Sequence, residues 1–401
     1  MMKGKELRLI VVVVLAVLVL TGWSVPNLQA QNTIQIGLLT EFTLPFLAEF
    51  SKNQQKAFDM ALEEVNAAGG VMGKKLELVT EEVGGGLDQV TAGAEKLISR
   101  KQVPLMISTQ FSTFTLALQK ITEAYKVPLL VPISGSDKIT EQNLKYTFRI
   151  SARTGIAYAG MMVEFLKRYA KPKKVAIFYE QGGYGSDFGR KAKLLVEQAG
   201  WEIVMFEGYN PRAIDFKPLL TKAKSIQPDA IMVANFFLDA VLMIRQAKEI
   251  NLNTLWIGSP GFGFPQFLSK DGAGKDAEYI FSIQQWNPNV PWPGAKEFAE
   301  KFRKRYNIDP DWNISQPYYA IHFVADVLKR AGSLDREKIR AALVATDIKE
   351  SMYGPIKFDE QGQNLHPVLV AQVQNTQYVI VYPTDLARGK PNLTIPPWDK
   401  R

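Results

Sequence analysis

The side chains best placed for chemistry in this chain are hydroxyls and amides. Ser108, Thr109, Gln110, Phe111, Ser112, Thr113, Phe114 and Thr115 run from a strand expected over Val103–Thr109 into a helix expected over Thr115–Tyr125. Hydroxyls and free amides at a helix N-terminus suit an anion, here a carboxylate. The plainer use of the same Ser and Thr side chains is to cap the helix. Ile133, Ser134, Gly135 and Ser136 follow the next apolar run and can bring further donors to the same spot. Aromatics fall in the remaining loops after strands: Phe42, Phe46 and Phe50 early, then Tyr184, Phe236, Phe237, Phe262 and Phe264. A small-molecule pocket wants such an apolar wall with few convergent polar groups.

Other chemistries are excluded by what is missing. With no Cys, disulfides, thiolate nucleophiles and cysteine metal sites are impossible, and two His, His322 and His366, rule out a His-rich metal centre. His322 falls on the polar face of a helix and His366 in a polar turn before Pro367, so both read as surface residues. HExxH, GxSxG and a complete phosphate-binding GxxxxGK[ST] are absent. The rival signal is Gly183, Gly185 and Gly189 in GYGSDFG, after a strand and opening a helix, with Glu207 ending the next strand. It approximates a dinucleotide fingerprint and keeps a nucleotide-using Rossmann-like enzyme as the alternative from another class. Against it, the spacing is GxGxxxG and Tyr184 would crowd a pyrophosphate.

The 48 basic and 40 acidic residues give a net charge of +8, a modest excess that predicts solubility rather than nucleic-acid binding. Part of that excess lies in a head segment. Lys3, Lys5 and Arg8 precede an unbroken apolar run of 12 residues, Leu9 to Leu20, too short for the ~20 of a spanning helix. With Pro26 and the small Ala30 behind it, the segment 1–30 reads as a signal peptide cleaved after Ala30, so the mature chain is expected to be exported.

Strands and helices then alternate in two series. The first has strands at Ile34–Leu39, Leu76–Glu82, Val103–Thr109 and Val127–Pro132; the second at Val175–Tyr179, Trp201–Glu207, Ala230–Ala234, Thr254–Gly258 and Tyr279–Ile283. Near-continuous apolar strands between helices mean parallel sheets covered on both faces, an α/β class with two doubly wound lobes. A helix from Ser186, late helices at Pro293–Tyr306, Ser315–Ala331 and Asp335–Ala345, and a strand at Pro355–Phe358 complete the reading. Helices that must return to an earlier lobe imply repeated crossings, hence a hinge and a cleft.

The opening IQIGLLTEFT, then NAAGGVMGKKLELV, the Ser112-Thr113 turn, Pro128 to Ser136, Tyr184-Gly185 after KKVAIFYE, IRQAKEINL and MYGPIKFDEQGQN resemble one family in order and spacing. The chain resembles the extracellular ligand-binding receptors of ABC importers, similar to periplasmic Leu/Ile/Val-binding proteins, over essentially all of its mature length. The resemblance implies a type I periplasmic binding protein. Lobe 1 would be 31–151 and 285–354, lobe 2 would be 152–284 and 355–387, and 388–401 would be a loose tail. Three hinge segments would lie at Arg149–Arg153, Ser282–Gln285 and Gly354–Lys357. It further implies a periplasmic monomer that captures a solute and delivers it to an inner-membrane permease, without catalysis and without a cofactor.

Carried over residue by residue, the turn serine that holds an amino acid's carboxylate matches Ser112, flanked by Gln110 and Phe111. A second carboxylate-binding turn matches Ile133, Ser134 and Gly135, with Ser134 and Ser136 around a Gly where Thr is usual, and lid aromatics match Phe50, Tyr184 and Phe236. The acid that pairs with the ligand's ammonium falls at Pro260 in GSPG. An unpaired ammonium in a closed cleft costs several kcal/mol. The expected ligand is therefore a small carboxylate with an apolar or aromatic body. Branched-chain amino acids are the alternative, with Glu41, Glu49, Glu180 or Asp239 supplying the missing charge.

Overall fold

The computed structural model describes residues 33–44 and 47–401, so the signal segment and Phe46 lie outside the described residues. The chain opens with β1 (Thr33–Thr40), α1 (Ala48–Ala67), β2 (Lys75–Glu82), α2 (Leu87–Glu95), β3 (Met106–Ile107), α3 (Ser112–Ala124), β4 (Leu129–Val131) and β5 (Thr147–Arg149). These strands form a parallel sheet in the order β2-β1-β3-β4-β5. Leu129, Leu130 and Val131 are all fully buried, as expected of a strand covered on both faces.

The second series runs α4 (Ala159–Tyr169), β6 (Lys174–Glu180), α5 (Gly183–Gln198), β7 (Glu202–Tyr209), α6 (Lys217–Ile226), β8 (Ala230–Asn235), α7 (Phe237–Glu249), β9 (Leu255–Pro260) and β10 (Phe281–Gln284). The chain then returns to the first lobe with α8 (Ala295–Tyr306), α9 (Trp312–Ala331), α10 (Arg336–Val344), β11 (Asp347–Ile348) and β12 (Ile356–Lys357), and ends in the second with β13 (Leu369–Gln374) and β14 (Gln377–Tyr382). The second sheet has the order β14-β13-β10-β9-β8-β6-β7, parallel from β10 to β7 and antiparallel where β13 and β14 join.

Core residues change cluster between Ile150 and Ala152, between Ile283 and Trp286, and between Phe358 and Val368, which marks three crossings. The third is displaced from the expected Gly354–Lys357. Ile356 and Lys357 pair antiparallel with Ile348 and Asp347, and Phe358 packs edge-on against Phe148. Arg149 N donates to Gly362 O and Asn364 N to Arg149 O. Segment 355–364 therefore belongs to the first lobe, because Ile356 and Phe358 find their apolar cover there, and the crossing falls at 365–367.

The segment 388–401 is packed, not loose. Leu393 and Ile395 rest on the second lobe's core and Trp398 is buried, its indole N–H donating to Leu252 O at 3.2 Å. Its prolines limit hydrogen bonding, yet three apolar side chains give it surface to bury. His366 is also moved from the expected surface to the interior, where its ring stacks on Tyr353 at 4.2 Å. Three helices start earlier than expected: α3 at Ser112, α5 at Gly183 and α9 at Trp312, where the Asp311 carboxylate accepts from Ile314 N and caps the first turn.

Candidate functional site

Each sheet has one place where the strand order reverses. In the first, the chain leaves β1 for β2 on one side and β3 on the other; in the second it leaves β6 for β7 on one side and β8 on the other. The loops beyond the carboxyl ends of strands at such points diverge and leave a crevice. Phe50 and Ser112 follow β1 and β3, while Tyr184 and Phe236 follow β6 and β8. The two crevices face each other and enclose about 610 Å³ of empty space, part of it open to solvent.

Of the sequence-derived candidates, Phe50, Gln110, Phe111, Ser112, Ile133, Gly135, Tyr184, Phe236 and Pro260 all line this cleft. Ser134 does not. Its hydroxyl turns back to donate to Thr109 O at 2.7 Å and meets Thr115 Oγ1 at 2.7 Å, tying the ends of β3 and β4 together. Ser112 is the first residue of α3, and its Oγ accepts from Gly135 N and Ser136 N, both at 3.1 Å. A hydroxyl has two acceptor lone pairs and one proton. With both lone pairs engaged, the Ser112 proton is left for an acceptor in the cleft.

Six side chains at or behind the cleft were not singled out from the sequence as site residues. Gln54, buried on α1, donates to Gln110 Oε1 at 2.8 Å and to Asn313 Oδ1 at 2.7 Å, so one amide aligns two cleft-lining side chains. Ser51 and Gln54 extend the stripe of Ala57, Ala61 and Val65 toward the helix start, and polar residues on a buried stripe were the available signal. Trp312 and Asn313 come from the first turn of α9. Tyr158 and Gln285 stand at the back, with Gln285 Nε2 donating to Tyr158 OH at 2.5 Å. Arg149, fully buried, holds the 134–136 turn by donating to Ser134 O at 3.2 Å and Ser136 O at 2.6 Å.

The second-lobe wall is aromatic. Tyr184 donates its hydroxyl to Ser259 O, and its ring lies 5.9 Å from that of Phe236. Phe264, carried by the second lobe, packs 4.6 Å from Phe50 and 5.5 Å from Trp312 of the first lobe, roofing the cleft. The lobes also touch through Ser136 Oγ, which donates to the Asp187 carboxylate on α5.

None of the sixteen lining residues carries a formal charge. Glu41 is buried outside the cleft, its carboxyl pushed up to about 7 chiefly by burial, and accepts from Phe111 N at 3.1 Å. Glu49 is exposed. Asp239, also raised to about 7 by burial, accepts from Phe236 N and Tyr209 OH, both at 3.1 Å. Glu180 accepts from Gly182 N at 2.5 Å and Gly185 N at 2.6 Å.

That last contact answers the dinucleotide signal. The N-terminus of α5, where a pyrophosphate would sit, is occupied by the protein's own Glu180 carboxylate. The glycines serve packing: a Cβ at Gly185 would lie 2.2 Å from Glu180 O and one at Gly189 2.7 Å from the Tyr179 ring.

The sequence profile described as periplasmic binding protein matches residues 33–377. The chain belongs to this family. Leu/Ile/Val-binding protein homolog 7 of Brucella suis biovar 1 (strain 1330) is 29% identical over 375 residues, covering 88% of this chain and 92% of the relative. Among solved structures, the branched-chain amino acid transporter substrate-binding protein of Streptococcus pneumoniae in complex with isoleucine superposes with a TM-score of 0.79 at 24% identity, covering 88% of this chain and all of that one. The solute-binding protein of an ABC transporter from R. palustris in complex with benzoate gives 0.77 at 20% identity, covering 87% and 95%. The fold is that of the type I periplasmic binding proteins.

Proposed function

We propose that this protein is an exported solute carrier of an ABC importer that captures a small carboxylate with an apolar or aromatic body between its lobes and passes it to an inner-membrane permease. The observation that carries the ligand class is the uncharged lining. A free hydroxyl proton and a helix N-terminus on one side, and aromatic faces on the other, suit a carboxylate attached to a flat or branched apolar group. An α-ammonium would meet no carboxylate there, and burying it unpaired costs several kcal/mol. Family membership supports the carrier role, and the likeness to a benzoate-bound protein fits the ligand class.

Branched-chain amino acids are the second reading, favoured by the likeness to the isoleucine complex and to the Leu/Ile/Val-binding homologue. Thermal-shift and calorimetric screening of the mature chain with benzoate, 4-hydroxybenzoate, benzamide, leucine and isoleucine separates the two. A ligand bound only by the folded cleft raises stability as ln(1 + [L]/Kd). Benzoate-type acids are expected to bind, with benzamide and the amino acids much weaker. Micromolar binding of leucine or isoleucine, with no response to the acids, would replace this reading by the second.

A further inference from the structure

Beside the cleft lies a second, smaller cavity that shares Gln110 and Ile133 with it as a common wall. Glu41, only 1% exposed, lines this inner cavity. Its carboxyl accepts from Phe111 N, at the mouth of α3, and is hydrogen-bonded by Thr109 and the Gln110 backbone. The helix end offered to a ligand at Ser112 is thus approached from behind by a buried acid of the protein itself.

The groups around Glu41 supply no countercharge. From α1 the cavity receives Ser51, Gln54 and Gln55, from the loop after β4 Pro132 and Ile133, and from the loop after β3 Ser108, Thr109 and Gln110, all neutral. The charged neighbour that acts on it is Glu82 at the end of β2, itself an anion, whose carboxylate is held by Phe42 N, Thr43 and Gly84 N. The partial positive charge of one helix terminus is about half an elementary charge. It can favour one buried anion, not two facing each other across a single turn with no cation between them.

We infer that capture of a carboxylate at Ser112 is coupled to uptake of a proton by Glu41, which makes this acid the titrating, specificity-setting residue behind the site. The inference rests on the proposed carboxylate reading of the cleft. Burial pushes the Glu41 carboxyl up to about 7, so it exchanges its proton in an accessible range. An arriving anion raises the affinity of Glu41 for its proton, and by linkage the proton raises affinity for the anion. A ligand with no charge to place at Ser112 gains nothing from the coupling, so the acid discriminates among ligands it does not touch.

The test is isothermal calorimetry of the mature protein with benzoate and with leucine as probes, in buffers of different ionisation enthalpy from pH 5.5 to 8.5. Proton uptake with benzoate is expected to approach about one per ligand at pH 8 and to vanish below about pH 6, with affinity falling roughly tenfold per pH unit once Glu41 ionises in the free protein. Glu41→Gln, which keeps an acceptor for Phe111 N, is expected to bind benzoate without uptake, independently of pH, and at least about tenfold more tightly than wild type at pH 8. Should the variant fail to fold, the buffer series on the wild type decides alone. Benzoate bound without proton uptake overturns the inference and leaves the carboxylate reading standing. Leucine bound with uptake, benzoate being refused, overturns that reading and leaves the inference. Leucine bound without uptake and lost in Glu41→Gln would make Glu41 an ammonium partner and overturn both, as would binding of neither probe.

Discussion

The two walls of the cleft share a plan, loops beyond the ends of parallel strands, and differ in what those loops present. The first-lobe wall sets aligned hydrogen-bonding groups among the apolar Leu47, Phe50, Phe111, Ile133 and Trp312: Ser112 fixed by two backbone amides, Gln110 and Asn313 fixed by Gln54. The second-lobe wall is mostly rings, Tyr158, Tyr184, Phe236 and Phe264, beside a proline that has neither charge nor donor. Polar geometry must be pre-built to be worth anything, because an unaligned donor is better satisfied by water. Apolar area works at any orientation that excludes water. A carrier whose aligned donors sit on one lobe can seat a ligand there and complete its burial with the rings of the other.

The sharpest way to break this contrast is to put a charge on the apolar wall. Pro260→Glu sets an acid opposite the carboxylate site with no cation to pair it; benzoate binding is expected to fall by a hundredfold or more, on the order of 3 kcal/mol, while leucine gains an ammonium partner. Calorimetry of both ligands on both proteins reads the exchange. Removing the aligned donor instead, with Ser112→Ala, is expected to cost about 1–3 kcal/mol for benzoate, the range for hydrogen bonds to charged groups, and clearly less for benzamide. An equal loss for both would mean that the wall does not sense charge.

A perturbation at the third crossing is read on stability instead. Burial pulls the His366 imidazole down to about 4 from the ordinary 6.5. The unfolded chain therefore takes up a proton that the folded one refuses, and the His366 contribution to stability is lost as pH falls from about 6.5 toward 4. Relative to its own stability at pH 7, His366→Gln should keep about 2 kcal/mol more than wild type at pH 5, read from denaturant melts. The smallest effect belongs to the rings: Tyr184→Phe leaves the apolar surface and removes the bond to Ser259 O, so benzoate binding should weaken by about 1 kcal/mol or less. A larger loss would show that the hydroxyl, not the ring, faces the ligand.

Strand-end loops were readable because their chemistry is local: apolar runs of strand length locate β3, β6 and β8, and the residues just beyond them are Ser112, Tyr184 and Phe236. What sequence spacing could not say is which atom points where. Ser134 and Ser136 flank the same glycine, yet one closes back on Thr109 and the other reaches across to Asp187. Gln54 with Asn313, and His366 with Tyr353, are partners brought together by lobes and crossings, and no periodicity carries that information. The misplacement of the third crossing has the same origin, since Ile356 and Phe358 read as a strand from either lobe until the surface they cover is known.

Gln285 connects the backbone of all three crossings. Its Oε1 accepts from Ala152 N on the first at 2.7 Å, it belongs itself to the second, and its carbonyl meets His366 Nε2 on the third at 2.7 Å; Tyr158 of one lobe and Gln316 and Tyr353 of the other bind the same amide. Three ropes knotted at one point cannot be bent independently. Lobe motion is then expected to have a single pivot, so that whatever reaches the cleft sees the opposite wall arrive along one fixed arc, and the spacing between hydroxyl and ring at closure is set by the knot rather than by the ligand.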